Sequence, residues 1–264
     1  MSPRRPVLRY HGGKWRLAPW IIGHFPAHRV YVEPFGGGAS VLLRKPRVYA
    51  EVYNDLYEDV VGLFRVLRDP EAAMKLLELL ELTPFSRTEF LEASNPSPDP
   101  VENARRFIIR SHMGFGASRT PQDQTGFRAN SNRSGTTPAH DWVKYPAAIK
   151  GVTDRLQGVV IESRPASECM EAHDSTTTLH YVDPPYVHST RSKGNPYCTK
   201  HKYAFEMSDQ DHRDLAEVLR NLKGFRTQSD RNRNHGIELR NRRQACRPTA
   251  VLTLRFGGGI NAHA

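Results

Sequence analysis

The fold is decided by the stretch Val30-Tyr31-Val32-Glu33-Pro34-Phe35-Gly36-Gly37-Gly38-Ala39-Ser40, in which a short apolar strand runs into three consecutive glycines. Glycine lets the backbone adopt positive φ and approach a ligand closely. A helix is predicted to begin at Ser40, and Val48–Val52 is predicted as a second strand that ends at Asn54-Asp55. Apolar residues from Asp55 to Arg68 then recur with helical spacing. This order of elements opens an α/β unit.

The rest of the chain extends this unit and interrupts it once. Further strands are predicted at Gly158–Glu162 and Leu179–Val182, followed by a helix over Ser208–Leu222. Residues 69–157 differ, with helices predicted at Glu71–Leu82, Val101–Met113 and Tyr145–Leu156 and a long polar segment, Gly114–Asp141, between them. We therefore expect a mostly parallel sheet built from residues 1–68 and 158–264, with a mostly helical insert at 69–157.

The tetrapeptide Asp183-Pro184-Pro185-Tyr186 directly follows the last apolar strand. Each proline fixes its own φ and lacks an N–H, so the carbonyls of this turn are not easily claimed by a helix. A rigid carboxylate, free carbonyls and an aromatic ring suit the binding of an amino group on a flat base. An ordinary turn at the end of a strand has the same composition, and the tetrapeptide alone leaves both interpretations open.

Two other segments point to a small-molecule site. Asp55 lies about twenty residues beyond the glycines, where an acid can accept the hydroxyls of a ribose; it could also cap the next helix. In Tyr10-His11-Gly12-Gly13-Lys14, a lysine beside two glycines can reach a carboxylate, although such segments are often simple turns. The glycine turn lacks the lysine of a P-loop, which disfavours that class.

The formal net charge of +10 suggests an anionic partner such as nucleic acid. Most of this charge lies in residues 226–264, which hold eight arginines and two acids. Nucleic-acid binding by the main body must therefore rest on local residues of the polar segment, namely Arg119, Arg128, Asn130, Asn132 and Arg133. Arginine reads guanine edges and phosphates, and asparagine reads adenine. A solvated polar loop is the alternative.

Other features narrow the class of protein. No run approaches about 18 consecutive apolar residues, so we expect no transmembrane helix, and the first ten residues lack the apolar core of a signal peptide. Three scattered cysteines argue against a disulfide framework. We therefore expect a cytoplasmic protein without a membrane partner, and we expect no metal site because the sequence has no Cys/His ligand cluster.

Taken in order, these motifs resemble those of the Dam-like DNA adenine-N6 methyltransferases, particularly the phage and prophage members. The resemblance covers roughly residues 7–224 and rests on Tyr10–Lys14, Glu33–Ser40, Asn54-Asp55 and Asp183–Tyr186. It implies a Rossmann-like S-adenosylmethionine-dependent methyltransferase sheet. The implied reaction is site-specific methylation of adenine N6 in double-stranded DNA, with the adenine flipped out of the duplex.

The resemblance also implies roles for individual residues. The catalytic residues would be Asp183, Pro184 and Tyr186. The S-adenosylmethionine-binding residues would be Tyr10, Lys14, Glu33, Phe35, Gly36, Gly38, Asp55 and Asp183. The insert would be the target-recognition subdomain, with Arg119, Arg128, Asn130, Asn132 and Arg133 contacting DNA. We expect a monomer, and a restriction endonuclease is a candidate partner within a restriction-modification system.

Two segments depart from the family pattern. After Glu162, where several relatives place an acid near the cofactor adenine, the chain has Ser163-Arg164-Pro165-Ala166. Residues 224–247 are polar, and only Ala250–Phe256 alternates like a strand. The sequence therefore predicts either a disordered DNA-binding arm or out-of-frame sequence, with the second favoured. The alternative functions are an inactive relative that only binds nucleic acid, or methylation of RNA adenine, cytosine N4 or protein glutamine.

Overall fold

A single twisted sheet with helices around it forms the body of the protein. The computed structural model describes residues 3–10, 12–115, 125–132, 135–186, 204–230, 239–240 and 251–255, with residues 228–230, 239–240 and 251–255 described by their backbone only. Its strands are β1 Val30–Glu33, β2 Ala50–Asn54, β3 Val159–Glu162, β4 Thr178–Val182, β5 Phe225–Asp230, β6 Leu239–Arg240 and β7 Val251–Arg255. Their order across the sheet is β3-β2-β1-β4-β5-β7-β6.

The strand order places a crevice at the middle of the sheet. All neighbouring strands are parallel except β6, which runs antiparallel to β7. From β1 the chain moves outward through β2 to β3 and then returns to place β4 on the other side of β1. Ligands of open α/β sheets bind at such a reversal, outside the carboxyl ends of the strands. The segments that follow β1 and β4 are therefore the ones positioned for binding.

Helices pack around this sheet. They are α1 Ala18–Ile22, α2 Glu58–Arg68, α3 Pro70–Leu82, α4 Arg87–Glu92, α5 Pro100–Met113, α6 Pro138–Val143, α7 Tyr145–Leu156, α8 Ala166–Ala172 and α9 Asp209–Asn221. Several begin where a side chain satisfies free backbone N–H groups, as at Asp69, Asp99 and Ser208. No helix of the described residues is long and apolar enough to cross a membrane.

The helices between β2 and β3 share one hydrophobic core with the sheet. Leu76, Phe107 and Tyr145 from these helices belong to the same buried cluster as Tyr31 and Tyr53 from the strands. A buried ion pair adds to this contact, because the guanidinium of Arg155 on α7 binds Glu51 of β2 at 2.6 Å, and Lys45 binds the same carboxylate at 2.6 Å. The helical segment is thus packed directly onto the sheet.

The prediction that residues 224–247 form no strand was wrong for the part of this segment that the structure describes, namely residues 224–230 and 239–240. We expected no strand there, yet Phe225–Asp230 forms β5, which is parallel to β4 on one side and to β7 on the other. The pattern failed because polar side chains are buried in this strand: Arg226 is 6% exposed and Thr227 is fully buried. Backbone hydrogen bonds to two neighbours hold such a strand without alternating apolar residues.

Two other boundaries differ from the prediction. The helix expected at Ser40 is only a turn, in which Leu43 N donates to Ala39 O. The second strand begins two residues later than expected, at Ala50 rather than Val48, and includes Asn54. This shift places Asp55 directly at the carboxyl end of β2, beside the glycine turn.

Candidate active site

A cavity of about 490 Å³ opens at the carboxyl ends of β1, β2 and β4. All eight residues predicted to bind the cofactor line it, and one of them, Asp183, is also a predicted catalytic residue. These lining residues are Tyr10, Lys14, Glu33, Phe35, Gly36, Gly38, Asp55 and Asp183. Pro184 is buried beside it, and Tyr186 is half-buried and contacts Lys14. The cavity has the size typical of small-molecule sites.

The glycine turn is shaped by the ring of Tyr53. A Cβ atom on Gly36 would lie 2.1 Å from Cε2 of Tyr53, closer than two carbon atoms can approach. The Tyr53 hydroxyl donates to the carbonyl of Gly37 at 2.7 Å, and Asn54 O accepts from Gly36 N at 2.8 Å. The end of β2 therefore holds the turn that follows β1, and only glycine fits at position 36.

The next residue of the turn has a left-handed backbone and a second aromatic neighbour. Gly37 has a φ of +47°, and a Cβ atom there would lie 2.7 Å from the ring of Tyr10. Asp55 accepts hydrogen bonds from Gly37 N at 2.7 Å and from Tyr57 N at 2.8 Å. Burial raises the pKa of Asp55, against the effect of these backbone donors. Asp55 thus lines the cavity and fixes the turn, but the alternative that it caps the next helix was wrong, because α2 has Tyr57 as its N-cap and no capping side chain.

Lys14 connects the N-terminal segment to the residues that follow β4. Its ammonium donates to Gly12 O at 2.8 Å, to Asp183 Oδ2 at 2.5 Å and to the Tyr186 hydroxyl at 3.1 Å. Burial disfavours the ammonium, but Asp183 and Tyr186 outweigh this effect and raise the pKa of Lys14 above its usual value. Lys14 is therefore a charged group in an almost dry environment. Among the described residues that line the cavity, it is the only cationic side chain.

The segment before Lys14 is fixed by helices α5 and α7. Arg9 N donates to the Ser111 hydroxyl on α5 at 2.9 Å, and the Tyr145 hydroxyl on α7 donates to Val7 O. Val7 and Leu8 are buried in the core cluster. These two helices thus help to place Tyr10 and Lys14 in the cavity, through contacts between residues more than a hundred positions apart in the chain.

Glu33 is a buried carboxyl group at the end of β1. It is 2% exposed, and one of its oxygens accepts from the Tyr31 hydroxyl at 2.9 Å and from Leu42 N at 3.0 Å. Burial raises the pKa of Glu33 to about 8, because these two donors only partly offset the loss of water. The side chain is therefore mostly protonated at neutral pH when the cavity holds no cation.

Glu33→Gln should increase the stability of the protein, and more so at high pH. The unfolded carboxyl loses its proton near pH 4.5, whereas the folded one keeps it up to about pH 8. As the pH rises from about 4.5 to about 8, the free energy of unfolding of the wild type therefore decreases, relative to that of the uncharged glutamine variant, by up to about 5 kcal/mol. Denaturant unfolding at pH 5 and pH 8 measures this difference. Exposed Glu78→Gln is the control, and equal differences for Glu33→Gln at both pH values would contradict the assignment.

Sequence reasoning missed the wall of the cavity that faces the glycine turn. Pro165, Ala166 and Ser167 at the start of α8 lie there, whereas Glu162 binds Arg164 at 2.9 Å and does not line the cavity. Helix α9 and the residues before it add Glu206, Asp211, Asp214, Leu215 and Val218. The amphipathic pattern of α9 predicted the helix, but it did not predict that residues of this helix would line the cavity.

The predicted DNA-contacting residues lie on or near a closed segment. Phe115 N donates to Gly126 O and Arg128 N donates to Met113 O, both at 2.8 Å, so the two ends of this segment are paired. Arg128 also donates to His112 O at 2.9 Å, while Asn130 and Asn132 are exposed. Arg119 and Arg133 lie outside the described residues. None of the three described ones, Arg128, Asn130 and Asn132, lines the cavity.

The described residues contain no group of three or more His, Cys, Asp or Glu side chains arranged to hold a metal ion. The six carboxylates that line the cavity are Glu33, Asp55, Asp183, Glu206, Asp211 and Asp214. Several of them already accept hydrogen bonds from protein groups, including Asp183 from Lys14 and Asp211 from Ser208. The cavity thus suits an organic ligand with cationic groups.

Comparisons with known proteins agree with this geometry. The model of the D12 class N6 adenine-specific DNA methyltransferases matches residues 10–241. The DNA adenine methylase of Escherichia coli strain K12 is 25% identical over 232 residues, covering 84% of this chain and 78% of that protein. The DNA adenine methylase of Salmonella typhi is also 25% identical, over 234 residues with the same coverage. That of Vibrio cholerae El Tor is 28% identical over 120 residues, which is 44% of this chain and 43% of that protein. The family match spans the cavity, the glycine turn and the Asp183–Tyr186 segment, and the chain belongs to the D12 class N6 adenine-specific DNA methyltransferases.

Proposed function

We propose that this protein transfers a methyl group from S-adenosylmethionine to N6 of an adenine at a specific site in DNA. The main support is the convergence of Asp183, Tyr186 and Lys14 at the edge of a cavity whose wall is the glycine turn. One side of this arrangement can hold a cationic nucleoside, and the other can hold an amino group on a base. Both are needed for methyl transfer to an exocyclic amine.

The cavity fits S-adenosylmethionine in its shape and charge. Backbone without side chains at Gly36, Gly37 and Gly38 permits close approach of a ligand. Lining carboxylates suit a ligand that has both a sulfonium and an ammonium group, and Lys14 is the one cationic side chain among the described lining residues that could bind its carboxylate. Glu33 would favour the ammonium group, since a nearby cation lowers the pKa of a carboxyl and restores its charge. When bound, the cofactor would supply an electrophilic methyl group.

The Asp183–Tyr186 segment would hold the adenine. The Asp183 carboxylate and the Pro184 carbonyl would accept the two N6 hydrogens, and the Tyr186 ring would stack on the base. This arrangement would orient the N6 lone pair toward the methyl carbon. Full deprotonation beforehand is unnecessary, because Asp183 can accept an N6 proton as the new bond forms. Catalysis would then depend mainly on positioning and on the exclusion of water.

The base must leave the duplex to reach this cavity. We assign DNA reading to residues 114–133 of the insert, whose paired ends and exposed Asn130 and Asn132 lie outside the cavity. The pairing of residues 113–115 with residues 126–128 fixes the backbone just before Asn130 and Asn132, which lowers the entropic cost of presenting these side chains to DNA. The contacts between the insert and the segment before Lys14 would link DNA binding to the cavity.

Alanine at both Asn130 and Asn132 should relax sequence preference, while alanine at Arg128 should weaken DNA affinity. The first change removes two amide groups able to read adenine, and the loss of such a contact lowers the discrimination against a wrong base by about 1–3 kcal/mol per base pair. The second removes a cation and should lower the salt dependence by about one phosphate contact. Methylation of a randomised DNA library and binding at several salt concentrations measure these effects. Exposed Arg220→Ala on α9 is the control, and unchanged preference and affinity would refute the assignment.

The function is tested by incubating the full chain with methyl-labelled S-adenosylmethionine and DNA. We expect label in N6-methyladenine at a short recurring sequence. Parallel reactions with RNA, and analysis of cytosine N4, test methylation of another amine. Binding to DNA without transfer would indicate an inactive relative. The position of β5 and β7 in the sheet supports the active form, since β5 pairs with β4 and β7 extends the sheet beyond β5.

A further inference from the structure

We propose that the Lys14 ammonium holds the Asp183 carboxylate until the methionyl carboxylate of the cofactor displaces Asp183. Only then is Asp183 free to hold adenine. We call this role of Lys14 the latch. This inference rests on the proposed function and adds an order of events to it. Lys14 is a positioning residue in this role, because it acts on adenine through Asp183. The argument depends on how many hydrogen bonds the Lys14 ammonium can donate.

The Lys14 ammonium is saturated in this structure. An ammonium group has three N–H donors, and Lys14 Nζ has three acceptors: Gly12 O at 2.8 Å, Asp183 Oδ2 at 2.5 Å and the Tyr186 hydroxyl at 3.1 Å. A fourth acceptor can bind only if one of these leaves. Among the described residues, a ligand carboxylate in this cavity has no other cationic side chain to bind.

Asp183 is the acceptor that such a ligand would displace. The incoming group and Asp183 are both carboxylates, so their exchange on the same ammonium preserves a charged pair in a nearly dry site. The ammonium and the Asp183 carboxylate have exposed side-chain fractions of only 9% and 15%. The exchange keeps the Lys14 ammonium paired, which costs less than leaving this more deeply buried charge alone. The four-carbon stem of lysine allows the required movement.

The exchange has a consequence for the reaction. While Lys14 holds Asp183, one carboxylate oxygen and the Tyr186 hydroxyl are engaged, and the residues proposed to hold adenine are tied together. Release of Asp183 frees Oδ2 and lets the carboxylate, whose orientation the ion pair had fixed, turn toward an N6 hydrogen. A flipped adenine would therefore be held firmly only when the cofactor is already present, and coupling of this kind is reciprocal.

The test compares two ligands that differ only in the carboxylate. S-adenosylhomocysteine has it, whereas 5′-(3-aminopropylthio)-5′-deoxyadenosine retains the adenosine, the thioether and the amine but lacks it. Calorimetry on the full chain without DNA gives the ratio of their affinities. Any direct effect of a substitution on the amine cancels in this ratio, which isolates the interaction of the carboxylate with Lys14.

Each variant has a distinct expected ratio. Asp183→Asn removes the competing carboxylate, so the preference for S-adenosylhomocysteine should rise about 5- to 150-fold over wild type, the usual range for coupled sites. Lys14→Met should bring the ratio close to one, and the double variant should match Lys14→Met. Exposed Lys75→Met on α3, which binds Asp99 at the surface, should leave the ratio unchanged.

The outcomes separate this inference from the proposed function. If wild-type protein binds neither ligand, the cofactor assignment fails. If it binds both but Asp183→Asn does not raise the ratio, or Lys14→Met keeps the wild-type ratio, the latch is refuted while the methyltransferase assignment stands. Binding of the ligand without the carboxylate by each variant shows that its cavity is folded.

Discussion

Asp183→Ala should reduce methyl transfer to DNA by about 10²- to 10⁴-fold, the range associated with loss of a positioned proton acceptor. The variant removes the carboxylate that we propose binds N6 and leaves Lys14 without its ion-pair partner. Single-turnover transfer of labelled methyl groups measures the chemical step directly. The fold should persist, because Asp183 lies at the edge of the cavity and is not part of the buried core clusters.

The control for this prediction is Asp209→Ala, which removes an exposed carboxylate from the first turn of α9. It should retain nearly full activity. Thermal unfolding of both variants separates a lost catalytic group from a lost fold. Transfer within about tenfold of wild type by a well-folded Asp183→Ala protein would mean that another group holds N6, since even one stabilising donor is typically worth about 10²-fold.

Gly36→Ala should disrupt both the fold and the cavity. The new methyl carbon would lie 2.1 Å from Cε2 of Tyr53, whose ring is fully buried and packs against Phe64 at a centroid distance of 4.8 Å. The ring cannot withdraw without losing this contact and its hydrogen bond to Gly37 O. We expect a loss of about 1–3 kcal/mol in the free energy of unfolding, together with weaker binding of S-adenosylhomocysteine.

Two variants make this prediction specific. Gly62→Ala places the same methyl group on α2, where no atom lies within 4 Å, and it should stabilise the protein by about 0.5–1 kcal/mol because glycine is a poor helix former. Tyr53→Leu in the Gly36→Ala background removes the obstructing ring and should recover part of the lost stability. Denaturant unfolding measures both effects, and an unaltered stability for Gly36→Ala would refute the steric explanation.

The elements with a clear apolar period were predicted well. The predicted bounds of the helix at Tyr145–Leu156 match the structure. Those of Leu179–Val182 differ by one residue at the first end, and those of Ser208–Leu222 by one residue at each end. The family resemblance predicted from the motifs is confirmed. The error at β5 has a physical cause: Arg226 and Thr227 are buried between two parallel strands, and no alternation of the local sequence marks a strand of that kind.

The sequence by itself determined the α/β class, the glycine turn, the Asp183–Tyr186 segment and the membership of the family, because these depend on local backbone requirements and on the order of short motifs. Only the tertiary structure decided which residues meet. Lys14 and Asp183 are 169 residues apart in the chain, and the sheet order brings them together by placing β4 beside β1. The requirement for glycine at position 36 has the same origin, because it is the ring of Tyr53 on the neighbouring strand β2 that leaves no room for a side chain there. Contacts across parallel strands depend on topology, which the spacing of residues along the chain does not encode.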